Sequence, residues 1–244
     1  MVARGYHNQI MPKRLLVGLI VVGAILGGGY YLYKTLRPSL SRSADVMAWL
    51  RDPSAHPDWV MHAGMRCRAD APLIFPTDGF IGYLWDDSFK PDHHHQGIDI
   101  FGGSDIGVTP VIAAYPGYLR RLPEWKSSVI VRLPEDPLHP GRQIWLYYTH
   151  MADPAGNSFI APDFPPGTFE EYIEAGTLLG YQGDYSGDPN NPVGVHLHFS
   201  IVLDDGLGNF RNELEIRNTL DPSPYFGLPL NAKSSTGGII VCGR

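Results

Sequence analysis

The sequence predicts a mainly β domain, an antiparallel sheet or sandwich, behind one amino-terminal membrane-spanning helix. Three observations carry that expectation. Glycine and proline are both abundant, 28 and 22 of 244 residues, and are spread along the chain rather than clustered, which suits many short elements joined by turns. Several short runs alternate apolar and polar positions or are dense in β-branched and aromatic side chains, as half-buried strands are. Leu15 to Tyr33 is an uncharged, mostly apolar run of 19 residues, close to the ~20 that cross a bilayer as a helix.

Composition narrows the function classes. With 43% hydrophobic and 18% charged residues, the chain suits one globular domain of moderate size plus an appendage. A net charge of −6 leaves no basic face for nucleic acid and disfavours electrostatic adherence to an anionic cell wall. The two cysteines, Cys67 and Cys242, are too few for a cysteine-based zinc knuckle. Any metal site must therefore use histidine and carboxylate.

Taken in order, residues 1–14 read as a cytoplasmic tail carrying Arg4, Lys13 and Arg14. The apolar run over residues 15–33 exceeds the about 7–15 residues of a signal-peptide core, and no small-x-small cleavage site follows it. Tyr30, Tyr31 and Tyr33 suit an interfacial belt. The expectation is an uncleaved signal-anchor, hence a single-pass cell-membrane protein with its large domain outside the cytoplasm. Residues 34–66 read as a tether. Ser41 caps a short helix through Ala44 to Leu50 with Met47 and Leu50 on one face, and Pro53 ends it. The domain proper spans residues 67–230, and 231–244 is a tail. Pro72 to Pro76 and Phe80 to Trp85 read as strands about a Thr77-Asp78-Gly79 turn. Further strands are expected over Thr109 to Ala114, Gly117 to Leu119, Gly176 to Gly187 and Val193 to Ser200. Ser127 to Leu133 and Ile144 to Thr149 form a hairpin pair across a proline-rich loop. The long connection Asp153 to Ala175, with a helical turn at Phe169 to Ile173, is expected to wall a cleft.

Side chains two apart on a strand share a face. In Val193 to Ser200, His196 and His198 therefore project together, while Val195, Leu197 and Phe199 face a core. Two other histidine-bearing strings accompany them, His95-Gln96-Gly97-Ile98-Asp99 and Tyr147-Tyr148-Thr149-His150. Catalytic zinc takes three protein ligands and keeps a fourth position open. His95, Asp99 and His198 supply two imidazoles and a carboxylate for such a site. On a fully extended strand His95 and Asp99 would lie about 13 Å apart, so the chain must bend between them, and Gly97 is the residue that allows it. His93 and His94 read as exposed loop residues, and His7, His56, His62 and His139 fall outside every motif.

The combination of His95-x-x-x-Asp99, a lone His150 after a strand, and His196-x-His198, with the glycine-rich Gly176 to Gly183 ahead of the last, resembles the lysostaphin/LytM-type zinc metallopeptidases. Members of that family cut peptide bonds in bacterial peptidoglycan. The likeness covers roughly Phe75 to Ser200. It implies a duplicated-hybrid-motif-like β fold, one zinc ion held by His95, Asp99 and His198, and His150 and His196 as the catalytic pair beside it, with their individual roles open. It also implies stem or cross-link peptides of peptidoglycan as substrate. Three other readings stay in view: a non-catalytic member that binds wall and activates another hydrolase, a zinc protease of another extracellular peptide, and iron in place of zinc. Cys67 and Cys242 lie near the two ends of the exported domain and are expected to pair, since disulfides persist in that compartment.

Overall fold

Glycine and proline turns cut the chain into strands of two to seven residues, and antiparallel pairing joins them. A computed structural model describes residues 13–88, 93–235 and 237–243. Arg4, His7 and most of the tail read over residues 1–14 lie outside the described residues. The chain forms two compact units, one up to Pro38 and one from Ser39 onward. Helix α1 covers Lys13–Arg51. In the first unit, every residue from Val21 to Tyr31 is exposed. Among the described residues no helix is long and apolar enough to cross a membrane, so the membrane-spanning part of the expectation gains no support from the structure.

The second unit is built on a nine-stranded sheet. Its strands are β1 (Val60–Met61), β2 (Gly79–Tyr83), β3 (Ile98–Phe101), β5 (Gly117–Arg120), β6 (Val129–Leu133), β7 (Ile144–Thr149), β8 (Glu171–Ile173), β10 (Leu197–Leu203) and β11 (Thr219–Leu220). The order is β1-β2-β3-β10-β7-β6-β5-β8, with β11 also on β10. Strands β4 (Pro110–Ile112) and β9 (Leu178–Tyr181) form a separate ribbon. All pairings between these strands are antiparallel. Alternation along β10 sends Leu197, Phe199 and Ile201 into one buried cluster with Ile98, Ile100, Leu146 and Tyr148 of its neighbours and with Val111 and Leu179 of the ribbon. The buried Tyr148 hydroxyl accepts the Ala114 N–H at 2.9 Å, which ties the two layers together. The opposite face carries a smaller cluster of Ile130, Trp145, Tyr147 and Val202, flanked by Trp125 and Phe210.

Three local expectations change. Pro72 to Pro76 joins no sheet, although Leu73 and Phe75 are fully buried and their amides bond Tyr225 O and Met65 O. Phe169 to Ile173 is not helical, because Glu170 has φ +55° and is clamped by Arg120 and Arg132; the chain then pairs as β8 with β5. The end of α1 presents a face only partly as expected: Leu50 packs against the buried cluster, but Met47 does not. Met47 is exposed, whereas Val46 and Trp49 are buried with Phe80 and Phe101, and the Trp49 indole donates to Gly102 O at 2.8 Å. Cys67 and Cys242 form the expected disulfide across a sequence separation of 175, a cross-link of a length that stabilises by about 2–5 kcal/mol. Ile240 beside it is buried in the main core.

Candidate active site

Strand register brings two of the expected residues together. β10 lies between β3 and β7, and His198 is directly opposite Asp99 on one side and Thr149 on the other. Facing residues of this kind have Cβ atoms about 4.5–5.5 Å apart. His95 arrives from the bend that precedes β3. A Cβ at Gly97 would sit 2.1 Å from the Phe199 carbonyl oxygen and 2.8 Å from its carbon. The glycine is therefore required so that the loop can pass against β10, more than for its freedom to turn. Backbone bonds hold His95 on both sides: its N–H donates to Asp87 O and its carbonyl accepts from Asp86 N, each at 2.8 Å.

Three ligand-type atoms converge in this corner. His95 Nε2 is 3.0 Å from Asp99 Oδ1 and 3.0 Å from His198 Nδ1, and His198 Nδ1 is 2.9 Å from Asp99 Oδ1. His95 donates Nδ1–H to Leu84 O at 2.9 Å, so a neutral ring has only a lone pair at Nε2. That lone pair faces a carboxylate oxygen, and two acceptors at this range repel unless positive charge lies between them. The protonation preferences show the same need. Burial pushes the His95 imidazole down, but the Asp99 carboxylate outweighs it and raises the pKa overall. Burial pushes Asp99 up, yet His95 and His196, with hydrogen bonds from His198 and His95, hold it well below the usual carboxylate range. A divalent cation satisfies all three atoms at once. Bonds of 2.0–2.1 Å in a tetrahedral zinc site place ligand atoms about 3.3 Å apart, close to this triangle, and two nitrogens with one oxygen are a donor set that zinc takes. Among the described residues this is the only group of histidines and carboxylates so placed.

His196 and His150 stand beside the triangle. His196 precedes β10 and is bridged to Gly183. It donates Nδ1–H to Gly194 O at 2.9 Å, lies with Nε2 3.7 Å from Asp99 Oδ1, and stacks on Phe101 at 4.9 Å. His150 follows β7 with φ +74°, a backbone conformation that costs a non-glycine residue about 1–3 kcal/mol and recurs at functional sites. Its Nδ1–H donates to Tyr185 O at 2.7 Å, and its ring centroid is 4.5 Å from that of His196 and 6.2 Å from that of His198. Burial, reinforced by His196 and His198, pushes its pKa down to about 3. The ring is therefore neutral at physiological pH, with Nε2 as an acceptor. Gly183, the last residue of the glycine-rich run, meets the His150 backbone so closely that a Cβ would lie 2.6 Å from His150 O and 2.1 Å from Ala152 O.

All five expected residues line one open cleft of about 550 Å³. Its walls come from Glu124, Trp125 and Lys126 ahead of β6, from Tyr185 to Gly187, and from Glu213 and Leu214. No residue of Asp153 to Ala175 lines it, which corrects the expectation for that loop; instead Ile160 and Phe164 fold it into the core. Trp125, Tyr185 and Glu213 carry no spacing signal that ties them to the histidine motifs, and the fold alone assembles them. His94 is half-exposed and bonds Asp86 at 2.6 Å rather than reaching the triangle. His56, His62 and His139 do not line the cleft.

No protein-family model matches the chain, and no curated protein does. Solved structures give a looser likeness. The catalytic domain of the antimicrobial peptidase lysostaphin from Staphylococcus simulans is 20% identical, with 61% of this chain and 90% of that domain covered and a TM-score of 0.39. A putative peptidase from Pseudomonas aeruginosa is 20% identical over 79% of this chain and 62% of its own, with a TM-score of 0.37. A putative glycyl-glycine endopeptidase LytM from Ruminococcus gnavus is 18% identical over 66% of this chain and 64% of its own, with a TM-score of 0.36. The chain thus spans less than two-thirds of the last two proteins. At this level of likeness the functional reading rests on the site itself.

Proposed function

We propose that the chain is a zinc-dependent endopeptidase acting on the peptide part of bacterial peptidoglycan. The observation that supports it most is the triangle of His95 Nε2, Asp99 Oδ1 and His198 Nδ1, with sides of 2.9–3.0 Å, at the floor of an open cleft. His95, Asp99 and His198 would hold the ion. Zinc, when bound, supplies Lewis acidity toward a water and a scissile carbonyl.

The remaining chemistry belongs to the chain. His150 and His196 both spend Nδ1–H on a backbone carbonyl, so each neutral ring offers Nε2 as a proton acceptor. Whichever ring takes the proton of an attacking water becomes, only then, a donor able to serve the oxyanion or the leaving amine, and burial disfavours that protonation at His150. The strained backbone of His150 and the Phe101 stack under His196 fix both rings beforehand, which is the preorganisation this chemistry needs. The aromatic walls, Trp125, Tyr147 and Tyr185, suit an extended peptide laid across the cleft.

The uncharged run Leu15 to Tyr33 motivates the proposal of a membrane anchor, and the disulfide that of an oxidising compartment for the domain. Protease added to intact cells then removes the large domain; protection reverses the topology. For the activity, the full chain is assayed for bound metal and incubated with purified peptidoglycan and a defined set of cross-linked muropeptides. New amino termini, lost on His198→Ala, are the expected result. Zinc-free protein, or loaded protein that cleaves no member of the set, overturns the reading.

A further inference from the structure

The ligand set is held from a segment that contributes nothing to it. Arg42, toward the end of α1, buries its guanidinium on Asp87. Nε donates to Oδ2 at 2.6 Å and Nη2 donates to Oδ1, with side chains only 8% and 1% exposed. Asp87 then acts on His95 by two routes. Its carbonyl accepts the His95 N–H at 2.8 Å. Its Oδ2 also accepts the Leu84 N–H at 3.0 Å, and Leu84 O is the acceptor that takes His95 Nδ1–H. Asp87 thus bonds the backbone of His95 through its own carbonyl and, through its carboxylate, fixes the residue that sets the His95 tautomer. A carboxylate this buried is stable only with its cation in place, and that cation comes from α1. The helix end is seated independently of the ion pair. Val46 and Trp49 are buried with Phe80 and Phe101, and Val46 packs so closely that a Cβ at Gly82 would lie 2.6 Å from its Cγ2. Phe101 in turn carries the His196 ring.

We propose that Arg42 is a positioning residue for the metal site: the docked segment Ser39–Arg51 sets the affinity of His95, Asp99 and His198 for their ion by holding Asp87, and through it the orientation and tautomer of His95. This rests on the metal-binding reading above and adds to it a dependence on the helix that continues from the apolar run. Residues that orient a ligating histidine tune metal affinity, with losses of roughly 10–100-fold when they are changed.

The test uses the full-length chain and reads zinc affinity by competition with a chelator, alongside the visible spectrum of the Co(II)-loaded protein. Arg42→Ala is expected to weaken zinc roughly 10–100-fold and to shift the cobalt bands. Arg42→Lys keeps the charge but loses the two-pronged geometry, so it recovers part of the affinity; if Arg42→Ala does not fold, Arg42→Lys carries the test with a smaller loss. Leu133→Ala is the control for general destabilisation. Leu133 is buried at the end of β6 paired with Ile144, the opposite end of β7 from Thr149; this variant melts lower but binds zinc as wild type does. Arginine variants with wild-type affinity and spectrum, or an equal loss in Leu133→Ala, overturn the proposal and leave the peptidase reading standing. A wild-type chain that takes up no zinc overturns both.

Discussion

Asp99 and Asp136 are both buried aspartates, 8% and 1% exposed, and they could hardly be furnished more differently. Asp136 is closed. It accepts Arg142 Nε at 2.8 Å and Nη2 at 2.5 Å, the Tyr225 hydroxyl at 2.8 Å and the Leu138 N–H at 2.8 Å. Burial pushes its pKa up, but these donors outweigh burial and hold it below the usual range. Among the described residues the Asp99 carboxylate has imidazole nitrogens for partners, rings whose charge is conditional. A buried carboxylate furnished with a permanent cation belongs to the fold. One that converges with lone pairs on a shared point suits a cation from outside, as proposed above.

The sharpest break of this contrast is His198→Ala, which removes one corner of the triangle. Zinc binding and peptidoglycan cleavage are both expected to vanish, while Asp136→Asn retains both; zinc retained by the alanine variant would dismiss the triangle as the site. Next is His150→Ala, expected to keep its zinc and to lose about 10²–10⁴-fold in kcat, the range of a general acid–base group. Metal loss in that variant would move His150 into the ligand set. Removing the disulfide with Cys67→Ser is expected to cost about 2–5 kcal/mol in chemical denaturation with zinc stoichiometry unchanged. The smallest effect belongs to Asp136→Asn itself, about 1–3 kcal/mol for partners left unsatisfied, and it has a pH signature. The folded pKa of Asp136 is depressed, so its contribution is full above the unfolded value of about 3.9 and disappears as pH falls through the folded one. The wild-type acid unfolding limb should therefore be steeper than that of the variant; equal slopes would show that the pair is not linked to folding.

How much of this was legible in the sequence follows from range. The alternation of Leu197 and Phe199 against His198 is local, and β10 forms as that pattern requires, but it begins at Leu197, leaving Val195 and His196 ahead of the strand. The distance argument that demanded a bend at Gly97 also holds, but its stronger cause, the Phe199 carbonyl passing 2.1 Å from where a Cβ would be, exists only once β10 is paired. The same holds for what was misjudged. Nothing near Phe169 reveals that Glu170 will be taken by two arginines from β5 and β6. Nothing near Ser39 reveals that Val46 and Trp49, rather than Met47, will find a surface to cover. The cleft walls at Trp125 and Glu213 come from distant loops with no periodicity to read.

The central position of β10 has a kinetic consequence. It is bonded to β7 along six positions and to β3 and β11 on its other side, so its amides are expected to be among the slowest to exchange with solvent, opening only when the whole unit opens. Asp99 and His198 are therefore fixed for the lifetime of the fold. Of the three, His95 alone reaches the corner from outside a strand, so the residence time of an ion held as proposed would report how firmly its backbone bonds to Asp86 and Asp87 hold.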